Sequence, residues 1–203
     1  MFVEIDRLHE KLKSLRPLSP ESVRRLSEDF MIDYTYHSNA IEGSTLTLDE
    51  TLLVLKEGIT IAGKPLKNHL EAIGHKDAYY YVEELIAHKT PFSERVIKEI
   101  HSLVLMDRRA KRGVYHPFID GNGRVGRLLL NFELMREGYP PINVKFADRA
   151  RYYECFSHYR ANDRDPSQMT ALVRGYAQYE LERYIDIAEQ AHALEEAYPE
   201  QYA

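Results

Sequence analysis

Residues 116–127, HPFIDGNGRVGR, bring one imidazole, one carboxylate, two guanidinium groups and three glycines into twelve positions. Gly121-Asn122-Gly123 can turn sharply and present bare backbone N–H groups, because glycine tolerates positive φ and asparagine tolerates left-handed geometry. Such a turn forms an anion-binding nest. The apolar run that follows, Arg124 to Met135, has the length of a buried helix, with Arg124 and Arg127 on one face at i and i+3 in its first turn. Cations at a helix N-terminus oppose the macrodipole by ~0.3–1 kcal/mol each, so the pattern calls for a negative group nearby. The chemistry implied is phosphate binding.

The surrounding composition sharpens this reading. The 203-residue chain carries a net charge of −5, which argues against general nucleic-acid binding by this chain, whereas six Lys/Arg face two Asp between Asp107 and Arg127. A local patch of that sign suits a compact anion. One cysteine, Cys155, excludes an intrachain disulfide framework. No signal peptide and no apolar run of transmembrane length appears, so the expectation is a cytoplasmic protein with no membrane partner.

The elements that must hold the motif read as helices almost throughout. Phe2, Ile5, Leu8, Leu12 and Leu15 recur at helical spacing up to Pro17. Ser19-Pro20-Glu21 supplies a cap, a first-turn proline and an acid for a second helix whose apolar face runs Val23, Leu26, Phe30, Tyr34 and Ile41, ending at Glu42-Gly43. A carboxylate in a last turn has the wrong sign for the dipole, so Glu42 calls for a cationic partner or a task. Thr47-Leu48-Asp49-Glu50 is a capping box for a short helix closed by Gly58. Leu66, Leu70, Ile73, Asp77, Tyr80 and Leu85 mark a further helix, and Ser93-Glu94 opens one that buries Val96, Ile97, Ile100, Leu103 and Val104. After a stop at Gly138-Tyr139-Pro140-Pro141, Asp148 caps a helix through Tyr159, and Asp165-Pro166 opens a long last one through Leu172, Tyr176 and Ile185. No alternating strand pattern, internal repeat or low-complexity segment is present, and the fold class is all-α.

Rival readings of the motif lack their context. Gly121-x-Gly123-x-x-Gly126 matches a dinucleotide fingerprint formally, but no buried strand precedes it and no βαβ unit follows. Walker A and HExxH sequences are absent. Glu71 and His75 share a helix face at i, i+4 without an evident third ligand, so a metal site there is not expected. The tyrosines of 79–81 and 152–153 fit helix packing with one wet edge.

The full pattern HxFxDGNGRxxR, matched by His116, Phe118, Asp120, Gly121, Asn122, Gly123, Arg124 and Arg127, resembles the signature of the Fic family, which mostly transfers AMP from ATP to hydroxyl side chains of target proteins. A second motif, Ser38-Asn39-Ala40-Ile41-Glu42-Gly43, is similar to the family's inhibitory motif (S/T)xxxE(G/N). Its place upstream of the catalytic motif matches the branch whose inhibitory helix belongs to the same chain. The resemblance implies a Fic-like helical bundle with a central helix-loop-helix active site. Residues 1–18 would be an N-terminal helical extension and 19–203 the Fic-like domain, with the inhibitory helix at about 20–43 and the catalytic loop at 116–127.

By that resemblance His116 is the general base for the attacking hydroxyl and Phe118 anchors the loop. Asp120 holds Mg²⁺, a hard cation that prefers carboxylate oxygen. The amides of Gly121, Asn122 and Gly123 cradle phosphates, and Arg124 and Arg127 clamp the β- and γ-phosphates of ATP. Glycine at 123 favours AMP transfer, since the branch that transfers phosphate usually has lysine there. Glu42 would pair with Arg127 and restrain the enzyme, with Ser38 adding a polar contact. The partners implied are a target protein bearing a Tyr, Thr or Ser hydroxyl, the chain itself as a substrate, and a second copy in a homo-oligomer. Two alternatives stand beside AMP transfer: removal of AMP from a modified protein, and a nucleotide-binding regulatory module. The second follows from a departure: only Asp107–Tyr115 separates the preceding helix from His116, where relatives have a hairpin flap and a further core helix.

Overall fold

The computed structural model describes residues 3–16, 20–106 and 120–197, apart from the side chains of 20–22, 25 and 194–196. The fold is all-α. Eight α-helices lie among the described residues: α1 (Val3–Ser14), α2 (Pro20–Ile41), α3 (Leu48–Glu57), α4 (Leu66–Ala87), α5 (Glu94–Val104), α6 (Asn122–Arg136), α7 (Arg149–Ala161) and α8 (Ser167–Ala197). A 3₁₀ turn, Phe146–Asp148, leads into α7. The chain divides into two compact units. One comprises Met1–Glu28, Gly138–Ile142 and Ala150–Ala203; the other comprises Asp29–Glu137 and Asn143–Arg149.

In the first unit α1 packs along α8. Ile5, Leu8 and Leu12 of α1 are buried, as the amphipathic spacing requires, and so are Leu181, Ile185 and Ala188 of α8. Lys11 pairs with Glu189 at 2.7 Å and His192 Nε2 donates to the Leu15 carbonyl at 2.8 Å, tying the ends of the two helices.

The second unit contains the sequence motifs. Its core joins Phe30, Met31 and Tyr34 of α2 to Ala78, Tyr79 and Val82 of α4, Val96, Ile100 and Val104 of α5, and Val125, Leu128 and Phe132 of α6. The capping box forms as the sequence dictates: Thr47 Oγ1 accepts from the Glu50 amide at 3.2 Å, and Glu50 Oε2 accepts from the Thr47 amide at 2.8 Å. Gly58 closes α3 in left-handed geometry. Ser93 caps α5 through the Val96 amide. The expected cap at Ser19 lies outside the described residues.

The α4 stripe differs from the sequence expectation. Leu66, Leu70 and Tyr80 are exposed, and the buried face is Asn68, His69, Ala72, His75, Ala78, Tyr79 and Val82. The reason is steric. Helix α4 runs against α3, α5 and α6 together, and close approach on several sides selects small or hydrogen-bonding residues over the largest aliphatic ones. Gly74 makes this explicit: a Cβ there would lie 2.6 Å from the Leu103 carbonyl oxygen and 2.8 Å from Met106 Cγ. The first of these is backbone and cannot swing aside. Gly74→Ala is therefore expected to lower stability by ~1–3 kcal/mol, the usual penalty of overpacking, although alanine is the better helix former. Urea unfolding at pH 7 reads this; an unchanged or raised midpoint would contradict the α4–α5 packing.

Candidate active site

Helix α6 begins abruptly. Gly121, with φ +78°, is its N-cap, and the left-handed conformation there is one that side-chain-bearing residues rarely adopt. Arg124 consequently falls in the first helical turn, while Arg127, expected there too, lies in the second. Both guanidinium groups are carried inward, at 1% and 2% exposure. Two buried cations near a helix N-terminus demand anions, and three carboxylates supply them.

Glu42, just past the end of α2, places Oε1 2.9 Å from Arg127 Nη2. Arg127 also donates from Nε to Ser38 Oγ at 3.0 Å and from Nη2 to the Ser38 carbonyl at 2.8 Å. Ser38 and Glu42, one turn apart, thus grip one guanidinium. Gly123 makes room for this arrangement, because a Cβ at 123 would overlap Glu42 Oε1. The carboxylate accordingly lies against the start of α6, where a helix N-terminus favours negative charge.

Arg124 turns to a different set. Its Nη1 is 2.9 Å from Glu71 Oε1 and 3.4 Å from Asn39 Oδ1, and its Nη2 is 3.5 Å from Asp120 Oδ1. Asp120 keeps a half-exposed carboxylate whose Oδ1 accepts from the Gly121 amide at 2.6 Å and whose Oδ2 is 3.7 Å from Lys67. His101, buried on α5, donates Nε2 to the Asp120 carbonyl at 3.0 Å, since a carbonyl can only accept. A cleft of about 370 Å³ opens beside these groups, lined by Leu66, Lys67, Leu70, Val104 and Met106 among others.

His75 lies beneath the arginines. It is fully buried and hydrogen-bonds Thr35 Oγ1 through Nδ1 at 3.0 Å. Burial first, and then the charges of Arg127 and Arg124, push its pKa well below the ordinary 6.5, so the ring is neutral in the fold. As pH falls below about 6.5 the unfolded chain gains a proton that the folded ring refuses, and stability drops by up to ~1.4 kcal/mol per pH unit. Its contribution is complete above that pH. Urea midpoints at pH 7.5, 6.0 and 5.0 are expected to fall with pH, and to fall less steeply in His75→Gln; equal slopes would refute a neutral, buried His75.

Of the residues singled out by sequence, Ser38, Glu42, Asp120, Gly121, Asn122, Gly123, Arg124 and Arg127 come together around the start of α6. His116 and Phe118 lie outside the described residues, as do the basic positions 108, 109, 111 and 112. The sequence reading missed Glu71, Asn39 and His101 as parts of the site. Glu71 and Asn39 carried one signal, an acid and an amide on helices flanking a motif already known to need anions. For His101 the sequence held none, because its task is to bond a backbone carbonyl.

Fold and site together define an all-α protein with two buried arginines at a glycine-capped helix start, each met by carboxylates. No protein-family model matches the chain. Among curated proteins it is 28% identical over 240 residues to protein adenylyltransferase Fic of Nematostella vectensis, with 91% of this chain and 56% of that protein covered. It is 29% identical over 220 residues to protein adenylyltransferase fic-1 of Caenorhabditis elegans, covering 81% and 43% respectively. Among solved structures, a Fic domain containing signaling protein from Bacteroides thetaiotaomicron superposes with a TM-score of 0.81 at 25% identity, over 92% of this chain and 97% of that one. Fic-1 of Caenorhabditis elegans gives 0.77 at 26%, over 90% and 69%. With both motifs present in the sequence and the fold shared, the chain is similar to Fic proteins in sequence and in structure. It spans about half the length of the curated relatives it matches. The Nematostella match runs over more residues than the 203 of this chain, so that relative carries internal residues without a counterpart here.

Proposed function

We propose that the chain transfers AMP from ATP to a hydroxyl side chain of a protein, and that Glu42 restrains it. The observation that carries the reading is the Glu42–Arg127 pair at the start of α6, where a carboxylate occupies a buried guanidinium suited to bidentate phosphate binding. The names of the relatives, protein adenylyltransferases, support the reaction class.

In this reading the amides at Gly121, Asn122 and Gly123 hold phosphate oxygens, and Arg124 and Arg127 neutralise the β- and γ-phosphates. Asp120 fits Mg²⁺: it is a half-exposed carboxylate facing the cleft, and Mg²⁺ commonly takes one or two protein carboxylates together with phosphate oxygens. When bound, the ion would neutralise phosphate charge. His116 takes the proton of the attacking hydroxyl, a role suited to a group titrating near neutrality. The hydroxyl oxygen then bonds the α-phosphorus, the bond from that phosphorus to the bridging oxygen breaks, and pyrophosphate leaves.

Incubation with Mg²⁺ and either α- or γ-labelled ATP tests the class of reaction. Label is expected on protein from the α-position only, and to be lost in His116→Ala. Label from the γ-position would indicate phosphate transfer instead. Tight nucleotide binding with no label, even in Glu42→Gly, would favour the regulatory module.

A further inference from the structure

Asp33, His37 and Ile41 fall at i, i+4 and i+8 on α2, on one face, whereas Ser38 and Glu42 project from the adjacent face toward Arg127. The first face is gripped by one short segment of the chain, residues 143–149. Asn143 Nδ2 donates to Asp33 Oδ2 at 2.9 Å, and Lys145 Nζ pairs with the same oxygen. His37 lies with Nε2 3.2 Å from Asp33 Oδ1 and accepts the Phe146 amide at Nδ1, 3.0 Å away. That amide can only donate, so Nε2 carries the ring proton toward Asp33. Burial works against the Asp33 carboxylate, but the hydrogen bonds from His37 and Lys145 outweigh it and hold its pKa well below the ordinary carboxylate range. At the end of the row Arg149 Nε donates to the Ile41 carbonyl at 2.7 Å.

Ile41 is the residue immediately before Glu42, and its carbonyl is one of the helix-terminal acceptors that α2 cannot satisfy internally. A guanidinium there satisfies the acceptor and complements the negative end of the dipole. It also fixes the peptide from which Glu42 departs. Contacts that only stabilised α2 could sit anywhere along it; these span its last two turns and finish one residue short of the restraining carboxylate.

We infer that residues 143–149 form a clasp that holds the end of α2 in register, with Arg149 the positioning residue that keeps the Glu42 carboxylate on Arg127. The inference rests on the reading of Glu42 as a restraint. Loosening the clasp lets the end of α2 shift and frees Arg127 for phosphate, so a partner that competes for the 143–149 segment would switch the site on without touching it.

Titration calorimetry of ATP with Mg²⁺ on the full chain, in two backgrounds, tests this. Arg149→Met is expected to tighten ATP binding by about fivefold or more when Glu42 is present, and by less than twofold when combined with Glu42→Gly. Arg149→Lys, which keeps a donor, should restore most of the restraint. Asp33→Asn, read in the same way, serves if Arg149→Met fails to fold by circular dichroism. If Glu42→Gly tightens ATP binding and neither Arg149→Met nor Asp33→Asn does, the clasp is refuted and the restraint stands. Weakening of equal size in both backgrounds would assign the clasp to folding alone. No change in Glu42→Gly itself would remove the restraint and the clasp together.

Discussion

Glu42→Gly is expected to raise AMP transfer by an order of magnitude or more. The expectation follows from charge and space at one guanidinium. Arg127 is almost wholly buried, and two of its contacts come from Ser38 and one from the Glu42 carboxylate. A triphosphate entering that position would meet a negative group lying directly over Gly123. Two like charges ~4 Å apart at an effective dielectric near 20 repel by about 4 kcal/mol, and each 1.4 kcal/mol is tenfold in rate. Glycine at 42 removes the carboxylate while leaving both Ser38 contacts to hold the arginine. Initial rates of label incorporation from α-labelled ATP, wild type against variant, measure the effect. Equal rates would sink the restraint, whereas a rise that vanishes on adding His116→Ala would tie it to the same chemistry.

The second large effect is structural. Glu71→Ala is expected to cost ~3 kcal/mol or more, because removing one member of a buried pair strands the other charge. Among the described residues Arg124, 1% exposed, is met most closely by Glu71 at 2.9 Å; Asn39 and Asp120 are 3.4 and 3.5 Å away and cannot take over at full strength. Among the described residues no group accepts from the buried Arg124 Nε, so the guanidinium has little reserve. Thermal and urea unfolding at pH 7 read the loss. A loss below ~1 kcal/mol would mean that Arg124 relaxes to another anion, against a fixed Glu71–Arg124 pair.

Local rules carried much of the fold. The Thr47–Glu50 box, the Gly58 and Gly121 positions and the Ser93 cap are each decided within four residues, and backbone chemistry there leaves little choice. The same holds for the dipole argument, which asked for anions near Arg124 and Arg127 and a cation near Glu42, and the ion pairs answer both requests. What was not legible depended on tertiary approach. The buried face of α4 is set by how near α5 comes at Gly74, which no hydrophobic period encodes. His101 acts on a backbone carbonyl nineteen residues away, and any of several buried histidines could have done so. The Arg149 contact with Ile41 joins segments more than a hundred residues apart. The Glu71–Arg124 pair joins two helices, and spacing along the sequence assigns no partner on another helix.

We propose that Glu42 holds the arginine that would otherwise meet the terminal phosphates of ATP. Calorimetric titration of wild type and Glu42→Gly with ATP and with AMP, both with Mg²⁺, tests it most directly. Glu42→Gly should bind ATP at least ~10-fold more tightly than wild type and bind AMP with unchanged affinity, since AMP lacks the phosphates that would reach Arg127. Equal gains for both nucleotides, or none for ATP, would contradict it.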